Sequence, residues 1–252
     1  MISEVMARSL LNRSSIGDYC INPYVGCLHG CSYCYASYYA RRMGHSGEWG
    51  SYVKVKVNAV DLLLRELRRR SRGVIYISSL TDAYQPIEEK YRITRRILEV
   101  LLSKDWPLIV QTKSALVLRD LDLIGSFSEA EVGFTIITLD EDMRRRLEPR
   151  ASSISSRIDA LMELKGEGIR TFTFIGPIIP GTHPEEILRL VNEVRNHSDL
   201  IYFDRFRRKP GLRDLWELIP VGEGFDPDLY YGSVKRFLED RLRGRVRYRF
   251  LY

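Results

Sequence analysis

The chain has 252 residues, 44% of them hydrophobic and 29% charged, a balance that excludes wholesale disorder. No stretch approaches the ~18 consecutive apolar residues of a membrane-spanning helix. The opening MISEVMARSLLNRSS lacks the apolar core of a secretory signal, so no membrane partner and a cytoplasmic location are expected. The formal net charge is +6, and 31 of the 39 basic residues are arginine, which turns attention to polyanionic partners.

Taken in order, short β-rich runs alternate with helical stretches. The first run is 18–22 (DYCIN), and a glycine- and cysteine-containing loop follows it. The second is 73–78 (GVIYIS), followed by a stretch whose Ile93, Ile97, Leu98, Leu101 and Leu102 share one helical face. The third is 107–112 (PLIVQT) and the fourth 131–138 (EVGFTIIT). Ile154, Ile158, Leu161 and Met162 mark the next helical face, which Gly166 and Gly168 stop. The fifth run, 169–176 (IRTFTFIG), leads to Pro184, Glu185 and Glu186, the first turn of another helix with acids at its positive end. The sixth is 199–204 (DLIYFD).

Beyond 204 the pattern changes to a basic, Pro-Gly-broken stretch at 205–213 (RFRRKPGLR) and loop chemistry at 222–227 (GEGFDP). A helix over about 232–242 and a strand at 245–252, with arginine on alternate positions, close the chain. Six strand–helix repeats predict an α/β fold with parallel strands, either a barrel or a doubly wound sheet. No linker composition divides the chain. The expectation is a body over 1–204 with a C-terminal extension, 205–252, packed on it within one domain.

The four cysteines stand at 20, 27, 31 and 34, and none follows. A disulfide framework would spread them to staple distant loops, whereas clustered thiols point to metal or redox chemistry. Cys27-x3-Cys31-x2-Cys34 lies in YVGCLHGCSYCYA, where Gly26 and Gly30 allow a tight wrap. An iron–sulfur cube takes four cysteines, so three would leave one iron open to a reactant, with Tyr33 and Tyr35 shielding the cluster. The competing reading is a structural zinc with Cys20 or His29 as fourth ligand, in a zinc-stabilised nucleic-acid-binding protein without redox activity. One arm of three ligands with no second arm favours the open cluster. For Cys20 the default is a small buried hydrophobe, and for His29 a solvent-facing loop histidine.

The chain resembles the radical S-adenosylmethionine (SAM) superfamily, and within it the spore photoproduct lyase-like branch, also known as "DNA repair photolyase" proteins. The resemblance is carried by SLLN (9–12), INPYVGCLHGCSYCYA (21–36), VKVKVNA (53–59), TDAYQPIEEKYRITRRILE (81–99), TKSALVLRDLDL (112–123), LEPRASS (147–153) and GPIIPG (176–181). It implies a partial (β/α)6 TIM-type barrel, a [4Fe-4S] cluster on Cys27, Cys31 and Cys34, and SAM chelated at the open iron. One electron then cleaves SAM, and the resulting 5′-deoxyadenosyl radical takes a hydrogen atom from the substrate. A one-electron donor is implied as partner.

Chemistry in parallel barrels gathers at the carboxyl ends of strands, so the resemblance directs attention to polar residues after each run. After the second stand Ser78, Ser79, Thr81 and Asp82, with Asp82 either meeting SAM's ammonium or serving as a turn aspartate. Lys113 after the third run would meet SAM's carboxylate, or form a structural salt bridge. Thr138 would hydrogen-bond the ribose, or simply end its strand. Glu148 and Arg157 would form a charged pair near SAM, or brace the fold. Gly176 and Ile178 would let the backbone approach the adenine.

In spore photoproduct lyase the resemblance places a hydrogen-donating cysteine near the end of the second strand. The corresponding stretch here, ISSLTDAYQP, has none. Radical chemistry on a substrate other than the photoproduct is therefore expected. Arg205, Arg207, Arg208 and Lys209 are the candidate contacts to nucleic acid.

Overall fold

The structure is a computed structural model that describes residues 1–45, 47–209, 221–222 and 224–252. The six runs become six parallel strands: β3 (Tyr19–Ile21), β6 (Ile75–Ile77), β7 (Leu108–Thr112), β8 (Ala130–Thr135), β9 (Arg170–Ile178) and β10 (Leu200–Arg205). They lie side by side in that order, with β2 (Leu11–Arg13) antiparallel on the outer edge of β3 and β11 (Tyr248–Phe250) beyond β10. The sheet is open, and β2 and β11 are its edges. Runs of Ile, Val and Phe suit strands covered on both faces, and Ile75, Ile77, Val110, Val132, Phe134 and Phe203 are fully buried.

Between the strands run α4 (Ile93–Leu102), α7 (Ile154–Gly166) and α8 (Pro184–Val194). In α4 the expected face is the buried one, Ile93, Ile97, Leu98 and Leu101, with Leu102 half-covered. In α7 the expected face is rotated. Ile154 and Leu161 are buried, but Met162 is 47% exposed and Arg157 is fully buried in its place. Apolar spacing alone could not show that an arginine turns inward to a buried carboxylate. Helix α8 begins at Pro184 behind the His183 cap, and Glu185 and Glu186 occupy its first turn as expected.

Three features depart from the sequence reading. A second sheet, β1 (Ile2–Val5), β5 (Val53–Lys56) and β4 (Tyr24–Val25), clamps the entry to the cysteine loop. The last helix, α9 (Pro227–Leu242), starts five residues earlier than expected because Asp226 caps it, accepting bonds from the Asp228 and Leu229 amides. The C-terminal strand is more than an appendage: β11 pairs parallel with β10, Ile201 opposite Tyr248, as a seventh parallel strand. The part of the basic stretch at 210–213 lies outside the described residues. Among those described, no helix is long and apolar enough to cross a membrane.

Candidate functional site

The cysteine loop occupies the carboxyl end of β3 and runs through β4 to α1 (Tyr35–Arg42), which Cys34 begins. Gly26 and Gly30 have φ of +85° and +66°, the left-handed region that side chains disfavour, so the loop can double back within eight residues. Cys27 and Cys31 are buried, Cys34 is partly so, and all are free thiols. Burial pushes Cys27 up to about 12 and raises Cys31 and Cys34, with the neighbouring sulfurs adding to the effect for Cys27 and Cys31. Thiols so placed become thiolates only when a cation compensates them, and a bound metal centre does so by displacing their protons.

The loop is held from several sides. Thr81 Oγ1 donates to the Gly26 carbonyl at 2.7 Å. Gln85 accepts the Leu28 amide at 2.7 Å and donates to Thr81 Oγ1 at 2.9 Å. The Ser32 amide donates to the Leu147 carbonyl at 2.9 Å, and Arg150 donates to the Leu28 carbonyl at 2.8 Å. Gln85 and Arg150 carried no signal in the sequence, since each acts on a partner more than fifty positions away.

His29 is not the solvent-facing residue expected. It is 2% exposed, with Nδ1 at 2.9 Å from the Arg150 carbonyl and Nε2 at 3.3 Å from Asp82 Oδ2. Asp82 in turn accepts from the Tyr84 amide and Thr112 hydroxyl on Oδ1, and from the Lys113 amide on Oδ2. Burial would raise this carboxyl, but His29, Thr112 and the Tyr84 amide together hold it down to about 2. All these bonds go to protein groups, so the geometry favours the turn-aspartate reading over an ammonium ligand. Asp82 binds the end of β7 to the cysteine loop.

Lys113, just past β7, is half-buried with Nζ 5.7 Å from the centre of the Tyr33 ring. Burial lowers its pKa, but Cys31, Glu148 and Asp82 outweigh this and raise it. Among the described residues its ammonium forms no ion pair. The nearby Glu148 is committed elsewhere, 2.6 Å from Arg157 in a fully buried pair and accepting from the Tyr33 hydroxyl. Arg157 also donates to the carbonyls of Ser152 and Thr135, both at 2.9 Å. These two charges therefore fit the bracing alternative, tying α7 and the end of β8 to the cysteine motif through Tyr33.

The other candidates are scattered around the same end of the sheet. Ser78 Oγ is buried without a partner. Ser79 Oγ lies 3.0 Å from Cys20 Sγ, so a thiol does reach the end of the second strand, but from the neighbouring one. The sequence argument from an absent cysteine holds along the chain and not in space. Thr138 lies three residues beyond β8, its Oγ1 accepting the Asp140 amide at 3.0 Å. Gly176 and Ile178 lie inside β9, which runs past the expected end. The Ile178 side chain is buried and its carbonyl accepts from Tyr231 at 2.9 Å.

After β10, Arg205, Arg207 and Arg208 line a cavity of ≈ 680 Å³ with Phe206, Phe225 and Tyr231. Arg205 pairs with Asp228 at 2.6 Å and Arg207 with Asp204 at 2.7 Å. Two of the four expected cationic contacts are thus matched by acids of this chain.

The donor set fits an iron–sulfur cube better than a zinc ion. Both candidates for zinc's fourth ligand are engaged, Cys20 at Ser79 and His29 at Arg150 and Asp82. Among the described residues no group of three or more Cys, His, Asp or Glu is arranged around a single-ion site. A zinc ion needs thiolates about 2.3 Å from one point, whereas a cube offers separate irons to separate sulfurs. Parallel β/α units with a three-thiol loop after the first of them define a class, the open-barrel α/β enzymes that work through a bound cofactor.

The model of the radical SAM superfamily matches residues 21–194. An uncharacterised protein of Methanocaldococcus jannaschii is 39% identical over 205 residues, 81% of this chain and 76% of that one. The "Radical SAM Nalpha-GlyT isomerase" of Pseudomonas phage M6 is 25% identical over 225 residues, covering 88% of this chain and 43% of the relative. The crystal structure of spore photoproduct lyase complexed with dinucleoside spore photoproduct superposes with a TM-score of 0.72 at 17% identity, over 100% of this chain and 82% of the other. The chain belongs to the radical SAM superfamily. It is an enzyme, and its cofactors are a [4Fe-4S] cluster and SAM.

Proposed function

We propose that Cys27, Cys31 and Cys34 are the three protein ligands of the cluster and that Lys113 receives the carboxylate of SAM. One observation carries this reading: a half-buried ammonium beside the thiol loop has no acid of its own among the described residues, while every nearby carboxylate is already committed. A buried cation in that position calls for an anionic partner. When bound, the cofactors supply one-electron cleavage of SAM to a carbon radical that takes hydrogen from a substrate.

The chain's own residues orient and enclose. Asp82, Thr81 and Gln85 fix the loop, Glu148 and Arg157 hold Tyr33 behind it, and Ser78, Ser79 and Thr138 offer hydroxyls at the mouth. Gly176 and Ile178 remain the candidates for the adenine, through backbone alone.

For the substrate we take a nucleic acid, engaged by Arg205, Arg207, Arg208 and Lys209. Support comes from the arginine- and aromatic-lined cavity after β10 and from the dinucleoside named with spore photoproduct lyase. The decisive experiment on the centre needs no substrate. Anaerobically reconstituted protein, reduced with dithionite, is expected to convert SAM slowly to 5′-deoxyadenosine and methionine. A fully loaded, reduced protein that leaves SAM intact would overturn the reading.

A further inference from the structure

A centre held by the cysteine loop has two sides. The inner side faces Lys113, Ser79 and Tyr35 at the mouth of the sheet, where the proposed function places SAM and substrate. An electron must then come from the other side, through the loop itself. That wall is thin. Gly30 and Gly50 lie backbone to backbone, so close that a Cβ on Gly50 would sit 2.8 Å from the Gly30 Cα. No side chain intervenes at that contact.

Around the contact the charge is one-sided. Residues 28–54 contain a single acid, Glu48, against Arg41, Arg42 and Lys54. Arg150 donates to the carbonyls of Leu28, at 2.8 Å, and of Gly50, straddling the contact without a carboxylate partner among the described residues. Arg144 and Arg145 are matched by Glu141 and Asp142, whereas Arg146, beside the Leu147 carbonyl that holds Ser32, is exposed and forms no ion pair among the described residues. Met43, 61% exposed, and the half-buried Trp49 supply apolar surface between these cations.

We propose that this outer wall, centred on the Gly30–Gly50 contact and bordered by Arg41, Arg146 and Arg150, docks an acidic one-electron carrier protein. The inference rests on the reading that the loop holds the cluster. An apolar centre within a cationic rim is the form of a transient, electrostatically steered interface. It presents the carrier at a point where only backbone separates it from the loop. In the encounter the carrier is oxidised by one electron and the centre reduced by one, with no bond made or broken in this chain.

The test uses the cluster-loaded protein and an acidic flavodoxin as probe. In Arg41→Glu/Arg146→Glu, affinity for oxidised flavodoxin and the rate of centre reduction by its hydroquinone are expected to fall about tenfold or more at low salt, since two rim attractions become repulsions. The loss should shrink as salt rises. Reduction by dithionite and the SAM cleavage that follows should be unchanged. Arg41→Lys/Arg146→Lys should retain affinity. So should Arg69→Glu/Arg70→Glu, which changes cations leading into the opposite end of β6. Equal flavodoxin affinity and reduction rate in parent and Arg41→Glu/Arg146→Glu would overturn the docking face. Failure of the dithionite-reduced parent to cleave SAM would instead overturn the reading of the centre on which the face rests.

Discussion

Cys20 Sγ stands 3.0 Å from Ser79 Oγ and within 3.5 Å of Asn22 Nδ2. The fourth cysteine is thereby turned to the end of β6 and away from the loop that carries the other three. Burial raises its pKa, which keeps it a thiol rather than a thiolate ligand. Cys20→Ala is expected to retain the full complement of iron and acid-labile sulfide, whereas Cys27→Ala, Cys31→Ala and Cys34→Ala should each lose it. Iron loss in Cys20→Ala equal to that in the other three would end the three-thiol assignment.

Lys113 is the cation without a carboxylate. Removing one partner of a desolvated charge pair costs on the order of 2–5 kcal/mol, so Lys113→Ala should weaken SAM binding by that amount while leaving iron content intact. Calorimetric titration of the reconstituted protein with SAM measures it. An unchanged dissociation constant would make Lys113 a structural residue packed on Tyr33.

The Glu148–Arg157 pair is fully buried, and breaking such a pair from one side strands the other charge at a cost of about 3–5 kcal/mol. Glu148→Gln should lower the urea midpoint accordingly. Tyr33→Phe removes a single neutral donor to the same carboxylate and should cost about 1–3 kcal/mol. A smaller loss in Glu148→Gln than in Tyr33→Phe would contradict the bracing role.

Asp82 yields a pH prediction. Its carboxyl is held down to about 2, below the ordinary aspartate value. It therefore stabilises the fold above that ordinary value, and the contribution disappears as pH falls toward 2. The gap corresponds to roughly 2 kcal/mol. Asp82→Asn should be less stable at neutral pH, with a flatter profile between pH ~5 and ~2. Urea unfolding across that range decides it, and parallel profiles would show that Asp82 does not carry the effect.

Four unmatched cations at 205–209 would give a log–log salt slope near −3 to −4 for oligonucleotide binding. With Arg205 on Asp228 and Arg207 on Asp204, the slope should be shallower than that. Asp204→Asn/Asp228→Asn should steepen it. Fluorescence titration with single- and double-stranded oligonucleotides provides the numbers. Binding indifferent to both salt and these substitutions would move the substrate to another chemical class.

The six parallel strands and the thiol loop could be read directly from the chain, because both are local in sequence. A buried strand writes itself as a run of β-branched and aromatic residues, and three cysteines within eight positions need no tertiary structure to be brought together. The partners of that loop could not be read. His29 looked like a loop residue, Glu148 and Arg157 fitted two roles equally, and Gln85 and Arg150 drew no notice. What fixes each is a bond to a residue fifty to more than a hundred positions away, or a helix rotation that local spacing does not encode. The same holds for Cys20, absent from the end of β6 along the chain yet present there in space, because adjacent parallel strands deliver side chains to one place from distant sequence. Sequence alone thus determined the fold class and the cofactor chemistry. Only the tertiary structure decided which charges are spent on holding the loop and which one is left over for a ligand.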